Sequence, residues 1–124
     1  MNEEIRIFNK NNQHIFGILH KPDIIHDEFN RVIIIFLHGW AGYRTGPHDL
    51  FVKISRKLAK EGFYSLRFDF GGKGYSQGNT KNVTLHSMQT DLHQVLNEIN
   101  QDFKASKIIL TGICTGAKVG LDYT

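Results

Sequence analysis

TGICTGA, residues 111–117, follows the short apolar run Lys107 to Leu110 and precedes a stretch, Gly116 to Tyr123, that can begin a helix. An apolar strand, then Gly112-Ile113-Cys114-Thr115-Gly116, then a helix start is the setting of a nucleophile elbow. A nucleophile on a strained turn needs small residues two positions before and two after it. The amides at the start of the following helix point at the site, where they favour a thiolate and can hold an oxyanion. The usual elbow residue is serine, and cysteine is a better nucleophile at neutral pH. Free cysteine is also among the most buried residue types, so a thiol packed beneath the sheet is the second reading. A dinucleotide loop would want a third glycine near Lys118, and a P-loop would want Ser or Thr after Lys73, where Gly74 stands.

Upstream of the elbow, strand and helix patterns alternate. Ile5 to Phe8 and His14 to His20 are β-rich runs separated by the polar residues 9–13, a hairpin signal. Pro22 to Asn30 reads as a polar loop. RVIIIFL, residues 31–37, is apolar without alternation, as in a strand buried on both faces of a parallel sheet. Asp49 to Lys60 reads as a helix with Leu50, Phe51, Ile54, Leu58 and Ala59 on its apolar side, ended by Gly62. Tyr64 to Phe70 reads as the next strand. Thr84 to Gln101 reads as the longest helix, with Leu85, Met88, Leu92, Val95, Leu96 and Ile99 on one face. A hairpin followed by strand–helix–strand–helix–strand predicts an α/β fold with a mainly parallel sheet, formed by residues 1–124 as a single domain.

Composition narrows the function. The chain has 124 residues, of which 40% are hydrophobic and 22% charged, the balance of a globular protein. No apolar run approaches the ~18 residues of a membrane span, and the N-terminus lacks the apolar segment of a signal peptide. A cytoplasmic location is the default expectation. A formal charge of +3, with basic residues scattered, argues against a nucleic-acid footprint. A single cysteine excludes an internal disulfide, and the seven histidines show no metal spacing.

In open α/β sheets, sites form at the carboxyl ends of strands. Three glycine-bearing loops occupy that place: HGWAG (38–42), DFGGKGYSQG (69–78) and GICTG (112–116). Gly74-Tyr75-Ser76-Gln77-Gly78 matches G-x-S-x-G letter for letter. It lies inside a polar turn with no helix directly after it, so Ser76 reads as a turn residue.

These loops, in this order, resemble the N-terminal half of the α/β-hydrolase superfamily, above all the serine-aminopeptidase-like (S33-type) hydrolases and related acyl esterases and thioesterases. Gly71 stands where that family often has arginine. The resemblance implies Cys114 as nucleophile. It implies the backbone N–H groups of Trp40 and Thr115 as oxyanion-hole donors. His38 and Asp69 would organise their loops. No cofactor or metal is implied. In this family the acid and the histidine of the triad follow the nucleophile. The residues after Cys114 contain no histidine, and Asp122 falls on the helix directly after the elbow. The other histidines, His48 and His86 among them, lie upstream. The expectation is therefore a truncated α/β-hydrolase domain, a fragment or disrupted reading frame. It would carry five strands of an expected eight and leave the Cys114 strand with an open edge. The implied activity is hydrolysis of an ester, thioester or amide of a small-molecule acyl substrate, without nucleic-acid or membrane partners. The alternative is a non-catalytic remnant or binding module of the same fold. A nucleotide-binding domain would rest on the glycine loops alone.

Overall fold

The computed structural model describes residues 2–10, 12–24 and 31–124. Most of the loop expected over 22–30 lies outside them. The chain runs β1 (Asn2–Lys10), β2 (Gln13–Lys21), β3 (Val32–Leu37), α1 (Leu50–Lys60), β4 (Tyr64–Phe68), α2 (Leu85–Phe103), β5 (Lys107–Gly112) and α3 (Thr115–Tyr123). The sheet order is β1-β2-β4-β3-β5. β1 and β2 form an antiparallel hairpin, β2 joins β4 antiparallel, and β3 is parallel to both β4 and β5. The predicted α/β class and parallel centre are what the chain adopts.

β3 and β4 lack alternation because both of their faces are covered, and every residue of β4 is buried. On one face, Met88, Leu92, Val95, Leu96 and Ile99 of α2 pack against Ile33, Ile35, Leu66 and Phe68. On the other, Ile34 and Phe36 meet Phe51 of α1. α2 begins at a reciprocal cap, in which Thr84 and Ser87 satisfy one another's backbone N–H groups. It ends where Lys104 turns left-handed.

In four places a boundary differs from the sequence reading by two residues or more. The hairpin is longer, because Lys10 pairs directly with Gln13 and Asn12 takes a left-handed φ of 66° that closes a tight turn. β4 stops at Phe68, because the Phe70 N–H donates to the His38 ring and not to a strand. α2 continues to Phe103, whose ring meets Tyr64 edge-on at 4.4 Å. β5 extends to Gly112, which stays in register with Leu37. The buried face of α1 is also rotated from the expected one. Phe51, Ser55 and Ala59 turn inward at i, i+4, i+8, and small residues let the helix lie close to β4. Leu50 and Ile54 lie on the flank and are exposed.

A polar chain, buried at Arg67 and His20 and exposed at Glu3 and Arg56, crosses the hairpin side of the sheet. Arg67 Nε donates to His20 Nε2 at 2.9 Å, so the proton of neutral His20 sits on Nδ1, 3.5 Å from the Glu3 carboxylate. Glu3 in turn accepts from Arg56 Nε at 2.7 Å. Hydrogen bonds thus tie β4 to β2 and α1 to β1, and between the two pairs His20 Nδ1 faces Glu3 without a hydrogen bond. Burial, then the Arg67 charge, pushes His20 from 6.5 down to about 4. An unfolded chain therefore takes up a proton as pH falls through 6.5, while the folded chain stays neutral until about 4.

Stability should accordingly fall between these two pH values, by up to about 3 kcal/mol from this residue. The loss is complete below the lower value. Urea titrations across that range should show it. His20→Gln should flatten part of the slope, leaving the contribution of buried His38, which is shifted in the same direction.

Candidate active site at the carboxyl ends of the strands

The loops after β3, β4 and β5 meet at one end of the sheet. Cys114 sits between β5 and α3 with φ 53° and ψ −122°, a conformation costly for any residue with a Cβ. The turn is held by close approach on both sides. A Cβ on Gly112 would lie 2.6 Å from the Ala117 nitrogen. A Cβ on Gly116 would overlap the carbonyl oxygens of Leu37 and His38, where the first turn of α3 lies against the end of β3. Ile113 N–H donates to Leu37 C=O at 3.1 Å and fixes the same junction. The spacing of the two glycines follows from these contacts.

The thiol of Cys114 is exposed, which disposes of the buried-cysteine reading. Beside it lies the loop after β3, where the Cβ position of Gly39 is 3.4 Å from Cys114 Cβ. Trp40 follows Gly39, half exposed, with Lys73 Nζ 5.5 Å from its ring centre. Among the described residues, the N–H groups of Trp40 and Thr115 have no acceptor. Thr115 is the first residue of α3, where an orphan donor is expected.

His38 and Asp69 organise the loops. His38 is buried, donates from Nδ1 to Gly39 C=O at 2.7 Å, and accepts the Phe70 N–H at Nε2 at 3.1 Å. Both ring nitrogens are used and burial holds the ring below the usual histidine range, so it is neutral and bound on both sides. Asp69 is fully buried. Its carboxylate accepts from the Arg44 backbone at 2.6 Å, from the Arg44 guanidinium at 2.9 Å and from the Tyr75 N–H at 2.9 Å. Arg44 also stacks over the Tyr75 and Phe16 rings, 4.2 and 5.0 Å from their centres. Sequence reasoning did not single out Arg44. Its only signal is a lone cation in a glycine loop facing an aspartate at a strand end.

Ser76, in the second G-x-S-x-G match, is a staple. Its hydroxyl donates to Asp69 C=O and accepts the Phe16 N–H at 2.8 Å. Asp91 on α2, also not singled out, accepts the Gly71 N–H at 2.9 Å and anchors the same loop. Other groups stay apart from Cys114. Asp122 pairs with Lys118 at 2.7 Å on the outside of α3, and His93 packs edge-on to Tyr123. No side chain of a histidine or acid is hydrogen-bonded to the thiol among the described residues. No cluster among them could hold a metal, and no helix among them is long and apolar enough to cross a membrane.

The hairpin leading into a parallel centre and the strand–elbow–helix unit define the N-terminal part of an α/β-hydrolase fold. The family model for serine aminopeptidase, S33, matches residues 29–124, and the chain belongs to that family. Among solved structures, it is similar to Est1E from Butyrivibrio proteoclasticus, solved with ferulic acid bound. That match has a TM-score of 0.82 at 22% identity and covers 94% of this chain and 45% of the other. The esterase Pf2001 of Pyrococcus furiosus gives a TM-score of 0.77 at 25% identity, with 98% and 46% covered. A hydrolase from Agrobacterium vitis S4 gives 0.77 at 23%, with 98% and 43% covered. The chain thus spans less than half the length of these proteins. No curated protein matches it.

The Gly116 contact sets an expectation. Gly116→Ala should cost more than about 3 kcal/mol, because the neighbour it strikes is backbone and cannot give way. Gly120→Ala, whose nearest neighbour is the Leu37 Cδ1 at 3.0 Å, should cost much less. Chemical denaturation of the two variants side by side checks this.

Proposed function

We propose that Cys114 is the nucleophile of an acyl hydrolase that cleaves an ester, thioester or amide through a covalent acyl-thioester intermediate. The observation that carries this is the strained turn at Cys114, with its exposed thiol. Strain of this kind persists where the surroundings over-determine it, and here two glycines and the end of β3 do so. The thiolate attacks the acyl carbon and the carbonyl oxygen gains charge. The N–H groups of Trp40 and Thr115 receive that oxyanion. The tetrahedral intermediate collapses, the leaving group takes a proton, and water then releases the acid. In the family the acid and the histidine of the triad follow the nucleophile, and no residue of this chain is assigned either role.

A thiol favours thioesters and activated esters over amides, so small-molecule acyl thioesters are the proposed substrate class. The location proposed is cytoplasmic, and no cofactor is required. The absence of a base on the thiol among the described residues favours a second reading, a non-catalytic module of the same fold.

The intact gene product, assayed against thioester and p-nitrophenyl ester panels, distinguishes the two. Cys114→Ala should lower kcat/KM by at least about a thousandfold, the scale of losing a nucleophile. Equal activity of the variant would refute the assignment. No turnover by either, with the thiol still alkylated, would favour the binding module.

A further inference from the structure

We propose that the outer edge of β1 pairs with the same edge of a second copy of this chain, antiparallel, about a two-fold axis at Ile5. β1 ends the sheet opposite β5, and no described strand lies beyond it. Which of its backbone groups point outward follows from its neighbour. Phe16 donates its N–H to Ser76 and accepts the Asp69 N–H. His14 bonds through both N–H and C=O to Gln77. These β2 residues therefore turn away from β1, and they stand opposite Ile7 and Asn9. By alternation, Glu3, Ile5, Ile7 and Asn9 aim their N–H and C=O groups at the open edge. Asn9 confirms the parity, since its N–H is taken by Glu98 of α2 at 3.1 Å. That contact closes the far end of the edge and, among the described residues, leaves the backbone groups of Glu3, Ile5 and Ile7 open to pair.

The side chains select the occupant and the register. With Ile5 on the axis, Ile5 meets the partner's Ile5. Glu4, paired within its own chain with Lys21 at 2.7 Å, meets the partner's Arg6 on one side of the axis, and Arg6, paired with Asp102 at 3.0 Å, meets the partner's Glu4 on the other. Glu3 and Ile7 exchange backbone bonds with the partner's Ile7 and Glu3, for about six backbone hydrogen bonds in all. Centring on Arg6 would set two guanidiniums face to face, which is destabilising. Centring on Ile7 would need the Asn9 N–H that Glu98 already holds. Ile5 is 62% and Ile7 45% exposed on the face that this pairing joins. They flank Ile18 and Phe16 of β2 on that face. A flat edge of this kind is ordinarily blunted by charge, proline or a bulge. Here the charges alternate in sign, and the Glu4–Lys21 and Arg6–Asp102 pairs extend across the axis without repulsion.

The experiment uses the full chain with Cys114→Ser as background, carrying either Ile5→Cys or Ile7→Cys. Across a hydrogen-bonded pair the Cα atoms are ~5.5 Å apart, within disulfide range. In this register the two position-7 Cα atoms are ~13 Å apart. Mild oxidation should therefore give a covalent dimer with Ile5→Cys and little with Ile7→Cys. In sedimentation equilibrium the mass should double with rising concentration. Glu4→Arg should abolish the doubling, its fold being checked by circular dichroism. Equal cross-linking at both positions, as association through the β5 edge would give, overturns the proposal. So does a monomer at every concentration.

Discussion

Everything at the functional end of this protein depends on how closely the first turn of α3 approaches the end of β3. The carbonyl oxygens of Leu37 and His38 lie where a side chain on Gly116 would be. Only a glycine lets the helix start there, and only a helix starting there forces Cys114 into its left-handed turn. The consequence is chemical. The thiol stands clear of the sheet at the mouth of an orphan helix terminus, beside the loop after β3. Fold and site share one cause, a backbone contact with no slack.

The neighbouring loops are fixed by a different device. Asp69 draws the loop after β3 onto β4 through Arg44 and the loop after β4 through Tyr75, while His38 bridges from the end of β3 to Phe70. A buried carboxylate is tolerated because its lone pairs meet charged and backbone donors. A buried histidine is tolerated because it stays neutral and uses both nitrogens. The Gly39 carbonyl is thus held by His38 at the start of this loop.

Much of this was readable in the sequence, for physical reasons. Unalternating apolar runs can only be strands covered on both sides, which gave β3 and the α/β class. The glycine pattern around Cys114 has few structural explanations other than an elbow. Ser76 was separable from Cys114 by context alone, and its two hydrogen bonds bear that out. Other features were not legible. The orientation of α1 misled because Ser55 is buried for its small size, not its hydrophobicity, while Ile54 is left outside. Arg44 and Asp91 carry no spacing signal, since each acts on a loop brought near only by the fold. The length of the hairpin turned on the left-handed turn at Asn12, which composition does not dictate.

The central claim is that the elbow thiol takes up an acyl group, and acyl trapping tests it most directly. The protein is mixed with an activated thioester or p-nitrophenyl ester, quenched in acid, digested with trypsin and mapped by mass spectrometry. The account predicts the acyl mass on the peptide from Ile108 to Lys118, lost on treatment with hydroxylamine. Acylation on the Ser76 peptide, Gly74 to Lys81, or no acyl adduct at all, would contradict it.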